Sequence, residues 1–130
     1  MTAYLMNLKT YFENTRGTGI ISTADSNGRV NSAVYARPHV FEDGTIAHIM
    51  RDRLTHANLM SNPYASYLFI EEGAGYKGKR LYMTMIREDK NADIIAEICK
   101  RCFVKELEIK DPRYLVVFRV EKERPLIGSE

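Results

Sequence analysis

The sequence predicts a mainly β protein whose strands form a closed or nearly closed antiparallel barrel. Short runs rich in β-branched and aromatic residues alternate with turn signals along most of the chain. Two of these turns contain Asn27-Gly28 and Asp43-Gly44, dipeptides that favour β-hairpins. Eight Tyr and five Phe without any Trp also suit strands. Closure of the sheet removes exposed edges, so a barrel is favoured, and an open sheet with a helix on one face is the alternative.

Six strands and three helices are expected. Two strands flank Asn27-Gly28 within residues 17–41, and the others fall at 41–50, 64–72, 78–88 and 113–123. Apolar residues at three- and four-residue spacing predict helices at 2–14 and 89–103, the second capped by Asp89 or Asn91. A short helix runs from Leu54 or Thr55 towards Pro63. No repeat or linker divides the chain, so residues 1–130 are expected to form one domain.

Composition narrows the class of protein. The chain is 45% hydrophobic, enough for one ordinary core, and its net charge is only +2. That balance argues against general attraction to nucleic acid or to a membrane surface. No apolar run approaches the length of a membrane span, and the N-terminus lacks a signal-peptide layout. We therefore expect a cytoplasmic protein with no nucleic-acid or membrane partner.

The two cysteines, Cys99 and Cys102, form a C-x-x-C pair. Such a pair can be a redox centre or half of a metal site. Here it lies within the predicted helix 89–103, at positions shared with apolar residues, and no second pair exists. We interpret the thiols as core residues and predict no metal site.

A polar cluster follows the third predicted strand. Arg51, Arg53 and Thr55 lie where that strand gives way to the short helix. The first turn of a helix has unpaired N–H groups and a partial positive charge, which favour an anion, and arginine and threonine side chains can add donors to it. Asp52 opposes an anion unless it orients an arginine. The cluster is either a phosphate site or a solvated connection.

The second predicted strand mixes polar and apolar residues on both faces. Alternation predicts two sets, Val30, Ser32, Val34 and Ala36 on one face and Asn31, Ala33, Tyr35, Arg37 and His39 on the other. Small side chains at Ser32, Ala33 and Ala36 would let a flat ligand approach the backbone. A strand at a subunit interface explains the same pattern equally well.

Three segments together resemble the pyridoxamine 5'-phosphate oxidase-like, FMN-binding split-barrel family. "GIISTADSNGRVNSAVYA" is similar to its first hairpin, and "TIAHIMRDRLTHANLMSNPYASYLF" to its phosphate turn, short helix and Asn-Pro entry into the next strand. "GYKGKRLYMTMIREDK" resembles its fifth strand. The resemblance implies a six-stranded antiparallel split β-barrel of Greek-key type with flanking helices, forming a homodimer that holds FMN at the subunit interface.

The resemblance also implies which residues hold the flavin. The ring and ribityl chain would be bordered by residues of the second strand and flanked by the end of the third, namely Asn31, Ser32, Ala33, Val34, Tyr35, His48, Ile49 and Met50. The phosphate would be held by Arg51, Arg53, Thr55 and His56, with Asn58 bracing the short helix. Arg80 and Tyr82 of a second subunit would close over the flavin.

The implied function is that of a small flavin-dependent oxidoreductase, with the flavin supplying the redox chemistry. No residue stands out as catalytic acid or base, and Tyr35, Arg37 and His48 are the candidates nearest the ring. The chain has nothing like the C-terminal Arg–His segment of true pyridoxamine 5'-phosphate oxidases, so we do not expect that activity. The alternatives are a non-catalytic flavin-binding or electron-carrier protein, a split barrel using deazaflavin or haem, and a nucleic-acid-binding barrel.

Overall fold

A computed structural model describes residues 3–98 and 112–128 of the chain. Seven antiparallel strands form one curled sheet in the order β2-β1-β5-β6-β7-β4-β3. The strands are β1 (Gly17–Ala24), β2 (Val30–Tyr35), β3 (His39–Val40), β4 (Ile46–Arg51), β5 (Tyr64–Glu71), β6 (Gly78–Asp89) and β7 (Arg113–Pro125). The helices are α1 (Ala3–Asn14), α2 (Leu54–Ser61) and α3 (Ala92–Ile98). The prediction of a mainly β, antiparallel fold is therefore confirmed.

The predicted barrel is confirmed only in part. The structure has seven strands because a two-residue strand, β3, pairs with Ile46 and Ala47 at the start of β4. A strand of that length produces no detectable alternation in sequence. The sheet is barrel-like but open, with β2 and β3 as its two edges.

The first predicted hairpin forms, but with a longer turn than Asn-Gly favours. Within this turn only Gly28 adopts a positive φ, of 83°. The carboxylate of Asp25 accepts the backbone N–H groups of Asn27 and Arg29, and these bonds hold the loop between β1 and β2. The connection is therefore a longer loop held by the Asp25 side chain, and not a tight two-residue turn.

The helices close the ends and flank of the curled sheet. Leu8 and Phe12 of α1 are buried in the main core, where Phe12 packs edge-on against Tyr67 and Phe69. Ile95 of α3 is buried in a second apolar cluster with Leu115 on the other side of the sheet. The predicted cap is confirmed, since Asn91 accepts the backbone N–H groups at the start of α3.

The described part of α3 ends at Ile98, so Cys99 and Cys102 lie outside the described residues. Within the described ranges, no helix is both long enough and apolar enough to cross a membrane.

Candidate ligand-binding site

A cavity of about 650 Å³ lies where the edge of β2 faces β4. Pairing between β3 and β4 stops at Ala47, and β2 pairs only with β1. The edges of β2 and β4 therefore border the cavity. Among the described residues, the backbone N–H and C=O groups on these edges pair with no further strand there. The residues that line the cavity come from β2 and the segment after it, from β4, from the start of α2, from the end of α3 and from the start of β7: Ala33, Val34, Tyr35, Ala36, Arg37, Pro38, His39, Ala47, His48, Ile49, Arg51, Arg53, Thr55, Ile98 and Arg113.

One end of this cavity is strongly cationic. Arg51 at the end of β4 lies directly opposite Arg113 at the start of β7. Arg53 occupies the N-cap position of α2 without forming a side-chain cap. The three guanidinium groups line the same cavity as the first turn of α2, whose N–H groups favour anions. We call this set, with Thr55, the cationic end.

A hydrogen-bond network ties β2 to the cationic end. Thr55 is only 3% exposed, and its Oγ1 accepts a hydrogen bond from Nδ2 of Asn31 at 3.2 Å. Burial raises the pKa of Tyr35, while its hydrogen bond with Thr55 and the charge on Arg53 act in the opposite direction. Tyr35 therefore stays protonated at neutral pH and can donate a hydrogen bond beside the arginines.

His48 also lines the cavity, and its imidazole is neutral. His48 is 3% exposed and packs between aromatic rings, 4.8 Å from Tyr67 and 5.9 Å from Tyr35 by ring centroids. Burial lowers its pKa to about 3, so the ring is uncharged at neutral pH. Its Nε2 is buried and has no hydrogen-bond partner among the described residues. A buried polar atom of this kind costs free energy until something satisfies it.

Many of the predicted site residues meet in this cavity. They are Ala33, Val34, Tyr35, His48, Ile49, Arg51, Arg53 and Thr55, with Asn31 bonded to Thr55.

Three other predicted residues have side chains engaged elsewhere. Met50 is fully buried in the main core. His56 stacks on Tyr114, with ring centroids 3.9 Å apart, and its Nε2 lies 2.7 Å from a carboxylate oxygen of Glu88. Asn58 donates to the Thr23 hydroxyl at 3.1 Å, which braces α2 against β1. His56 and Asn58 therefore anchor the helix from behind the cationic end.

The last three predicted residues lie on the opposite, outer face of the sheet. Ser32 shares a hydrogen bond of 2.8 Å with Ser22. Tyr82 contacts the Arg124 guanidinium, 5.6 Å from the ring centroid. Arg80 donates to the backbone oxygens of Pro125 and Gly128 and so holds the C-terminal segment. None of the three lines the cavity of this subunit.

Sequence reasoning missed Arg113 as a member of the site. It opens the last strand, far along the chain from Arg51, and only the β4–β7 register brings the two together. The segment Ala36–His39 also lines the cavity. It was predicted as part of the second strand, whereas β2 ends at Tyr35, and within it Ala36 and Arg37 were expected to lie near a flat ligand. Among the described residues, no cluster of three or more His, Cys, Asp and Glu side chains could hold a metal ion.

No protein-family model matches the sequence, and no curated protein matches it either. Solved structures do share its fold. An FMN-binding protein from Syntrophomonas wolfei subsp. wolfei is 22% identical with a TM-score of 0.73, and the similarity covers 97% of this chain and 88% of that one.

Two further structures are similar at lower identity. A candidate pyridoxamine 5'-phosphate oxidase from Lactobacillus delbrueckii is 13% identical with a TM-score of 0.64, covering 95% of this chain and 93% of its own. An F420 reductase is 13% identical with a TM-score of 0.62, covering 95% and 98%. At these identities the likeness establishes a shared fold over nearly the whole chain.

Proposed function

We propose that this chain, which has the split-barrel fold of the pyridoxamine 5'-phosphate oxidase-like family, is an FMN-binding flavoprotein acting as a small oxidoreductase. The observation that carries the proposal is the cationic end, where three arginines and a buried hydroxyl line one end of the cavity. The volume of the cavity, about 650 Å³, falls within the usual range for small-molecule sites.

The cationic end fits a phosphate monoester. Arg51, Arg53 and Arg113 can each make charge-assisted hydrogen bonds to phosphate oxygens. Tyr35 and Thr55 add hydroxyl donors, and the start of α2 adds backbone N–H groups. A solvated connection does not require so many hydrogen-bond donors in one place. Their number therefore favours the phosphate interpretation of the cluster at residues 51–55.

The middle of the cavity fits a flat heterocycle with a polar edge. The strand edges of β2 and β4 offer backbone donors and acceptors, and Ala33 and Ala36 leave room beside the backbone. The unpartnered Nε2 of His48 is a further candidate partner for a ligand polar atom. A bound flavin would supply hydride and electron transfer, while these residues orient it and exclude water.

A deazaflavin would use the same features, and one structure with this fold is an F420 reductase. The described residues favour a ring carrying an anionic tail, a chemistry that FMN and deazaflavins share. FMN is the first candidate because the most similar of the three structures described above is an FMN-binding protein.

We further propose a homodimer formed through the outer face of β2, β1, β5 and β6. This face exposes large apolar side chains, with Val30, Val34 and Tyr64 exposed by 82%, 75% and 67%. Three serines and a tyrosine form a row across the same four strands, in the order Ser32, Ser22, Ser66 and Tyr82. Several exposed large apolar side chains on one face favour an interaction surface. Tyr82 lies on this face, within reach of a second copy.

Absorption spectroscopy tests the cofactor directly. Purified protein is incubated with FMN, desalted and scanned, and any retained chromophore is released and identified. We expect about one FMN per subunit and reduction by NADH or NADPH. Incubation with a deazaflavin under the same conditions separates the two ring systems. A colourless protein without measurable affinity for either ring would refute the proposal.

A double substitution tests the assigned phosphate site. Arg53→Ala with Thr55→Ala should weaken FMN binding about a hundredfold or more, since a hydrogen bond to a charged group contributes about 1.5–3 kcal/mol. Arg29→Ala, in the exposed turn before β2, is the matched control and should leave the affinity unchanged. Unchanged affinity in a folded double variant would place the phosphate elsewhere.

A further inference from the structure

Arg37 is an arginine fixed in place by backbone carbonyls. Its Nη1 donates to the oxygen of Phe12 at 2.9 Å and to the oxygen of Thr15 at 3.1 Å, and so it caps the C-terminal end of α1. A guanidinium has five N–H donors, and Nη1 carries two of them. The donors on Nε and Nη2 have no partner among the described residues, and Arg37 forms no ion pair there.

The backbone that carries Arg37 is also fixed. The Tyr67 hydroxyl lies 3.0 Å from the backbone oxygen of Ala36 and 3.3 Å from that of Tyr35, close enough to donate to either. Pro38 is buried directly after Arg37. The guanidinium is therefore held in position before any ligand arrives, which lowers the entropic cost of using it.

Arg37 lines the cavity at the end opposite the cationic end. Two residues after Arg37, His39 pairs with Ala47, and both residues line the cavity. Arg51, at the cationic end, lies four residues after Ala47 on β4, roughly 13 Å of extended strand away. The cavity thus carries positive charge at both of its ends.

Acidic residues near Arg37 lie outside this cavity. Glu71 and Glu72 line a separate groove at the ends of β1 and β5, which Arg37 also borders. Glu71 accepts a hydrogen bond from the Tyr11 hydroxyl at 2.6 Å. Neither carboxylate pairs with Arg37, so the described residues leave its donors on Nε and Nη2 unoccupied.

We propose that Arg37 binds the anionic group of a second ligand, so that the substrate is a small carboxylate or phosphate monoester lying beyond the flavin ring. This inference rests on the proposed flavin function, because the cationic end is assigned there to the phosphate of FMN. A purely structural role would need only the two bonds from Nη1 and would give no preference between anionic and neutral ligands.

The test titrates the FMN-loaded protein with benzoate and phenyl phosphate, and with benzamide as the neutral counterpart, following the flavin absorption spectrum. We expect at least one of the anions to perturb the spectrum and benzamide to bind much more weakly. Arg37→Gln should weaken binding of that anion by about tenfold or more, the loss of one charge-assisted contact, and leave FMN affinity within about twofold. Arg37→Lys should restore part of the anion affinity.

Arg16→Gln is the matched control, because Arg16 borders the separate groove and does not line the cavity. Three results would overturn the proposal: no anion binding by the wild type, equal binding of benzamide, or equal anion affinity in Arg37→Gln. If FMN itself fails to bind, the proposed function is lost. Calorimetric titration of the flavin-free protein and the same variants with both anions then decides the role of Arg37 separately.

Discussion

Arg51 and Arg113 lie directly opposite each other on β4 and β7, two like charges in neighbouring strands. Like charges in this position oppose strand pairing unless an anion or a nearby acid compensates. Both side chains line the proposed phosphate end of the cavity, together with Arg53. The fold therefore brings Arg113 next to Arg51 and Arg53, from which it is distant in the sequence.

Replacing Arg113 tests this concentration of charge. Arg113→Gln should weaken FMN binding by about tenfold, since one charge-assisted hydrogen bond is lost while Arg51 and Arg53 remain. Flavin fluorescence titration measures this affinity. Arg29→Gln, in the exposed turn before β2, is the matched control, and an equal FMN affinity of the two variants would exclude Arg113 from the site.

The predicted site residues that meet at the cationic end are those that lie close together in the sequence. Arg51, Arg53 and Thr55 are close in sequence, so the strand-to-helix junction assembles them in any arrangement of the sheet. Arg113 was not identified, and the anchoring of Arg37 was not foreseen, because both depend on contacts between distant segments. Sequence periodicity reports which residues share a face, and it does not report which strands meet.

Alternation also explains why some predicted residues lie away from the cavity. In β2 the side chain of Ser32 points to the outer face while its neighbour Ala33 lines the cavity. In β4, Met50 is buried between Ile49 and Arg51, which both line the cavity. A contiguous block of sequence carried over from a family therefore contains residues of both faces.

His48 should make the stability of the protein depend on pH. Burial lowers its pKa from 6.5 to about 3, so between these values the unfolded chain binds a proton that the folded protein does not. Stability is therefore lost as the pH falls through this window, by about 1.4 kcal/mol per unit. His48→Phe should remove this dependence, and between pH 7 and pH 5 it should lose about 2 kcal/mol less than the wild type.

Urea unfolding at the two pH values measures this difference, because the remaining titrating groups are common to both proteins. His39→Phe is the control. The pKa of His39 is also lowered, first by burial and then by Lys9, but its side chain is exposed, so a smaller change is expected. If the free energy of unfolding falls equally in wild type and His48→Phe, His48 gains its proton while the protein stays folded.

Gly19→Ala should destabilise the protein by crowding Tyr67, whose hydroxyl contacts the backbone of Tyr35 and Ala36. A Cβ at this position would lie 2.0 Å from the Tyr67 hydroxyl and 2.6 Å from the backbone oxygen of Tyr35. The Tyr67 ring is fully buried and cannot move aside cheaply. We expect a loss of about 1–3 kcal/mol in the free energy of unfolding, the usual cost of overpacking. FMN affinity should fall as well, because Tyr67 positions the backbone of Tyr35 and Ala36.

Gly28→Ala separates this steric effect from backbone strain. Gly28 has a φ of 83°, and a Cβ added there would meet nothing within 4 Å, so its substitution costs only the strain of a positive φ. It should reduce stability by about 1 kcal/mol without changing FMN affinity. Equal effects of the two substitutions on FMN binding would show that the Tyr67 contact does not shape the cavity.

A charge on the outer face tests the proposed homodimer. Val30 is 82% exposed on β2 and does not line the cavity, so Val30→Glu should leave the fold of the subunit intact. Burying an unpaired carboxylate in an interface is costly, and sedimentation velocity should therefore show a dimer for the wild type and a monomer for the variant. Tyr76→Glu, at an 81% exposed position in the loop between β5 and β6, is the matched control and should remain dimeric. If both subunits contact the flavin, Val30→Glu should also lose FMN affinity. A wild-type protein that is monomeric and binds FMN fully would assign the whole site to one chain.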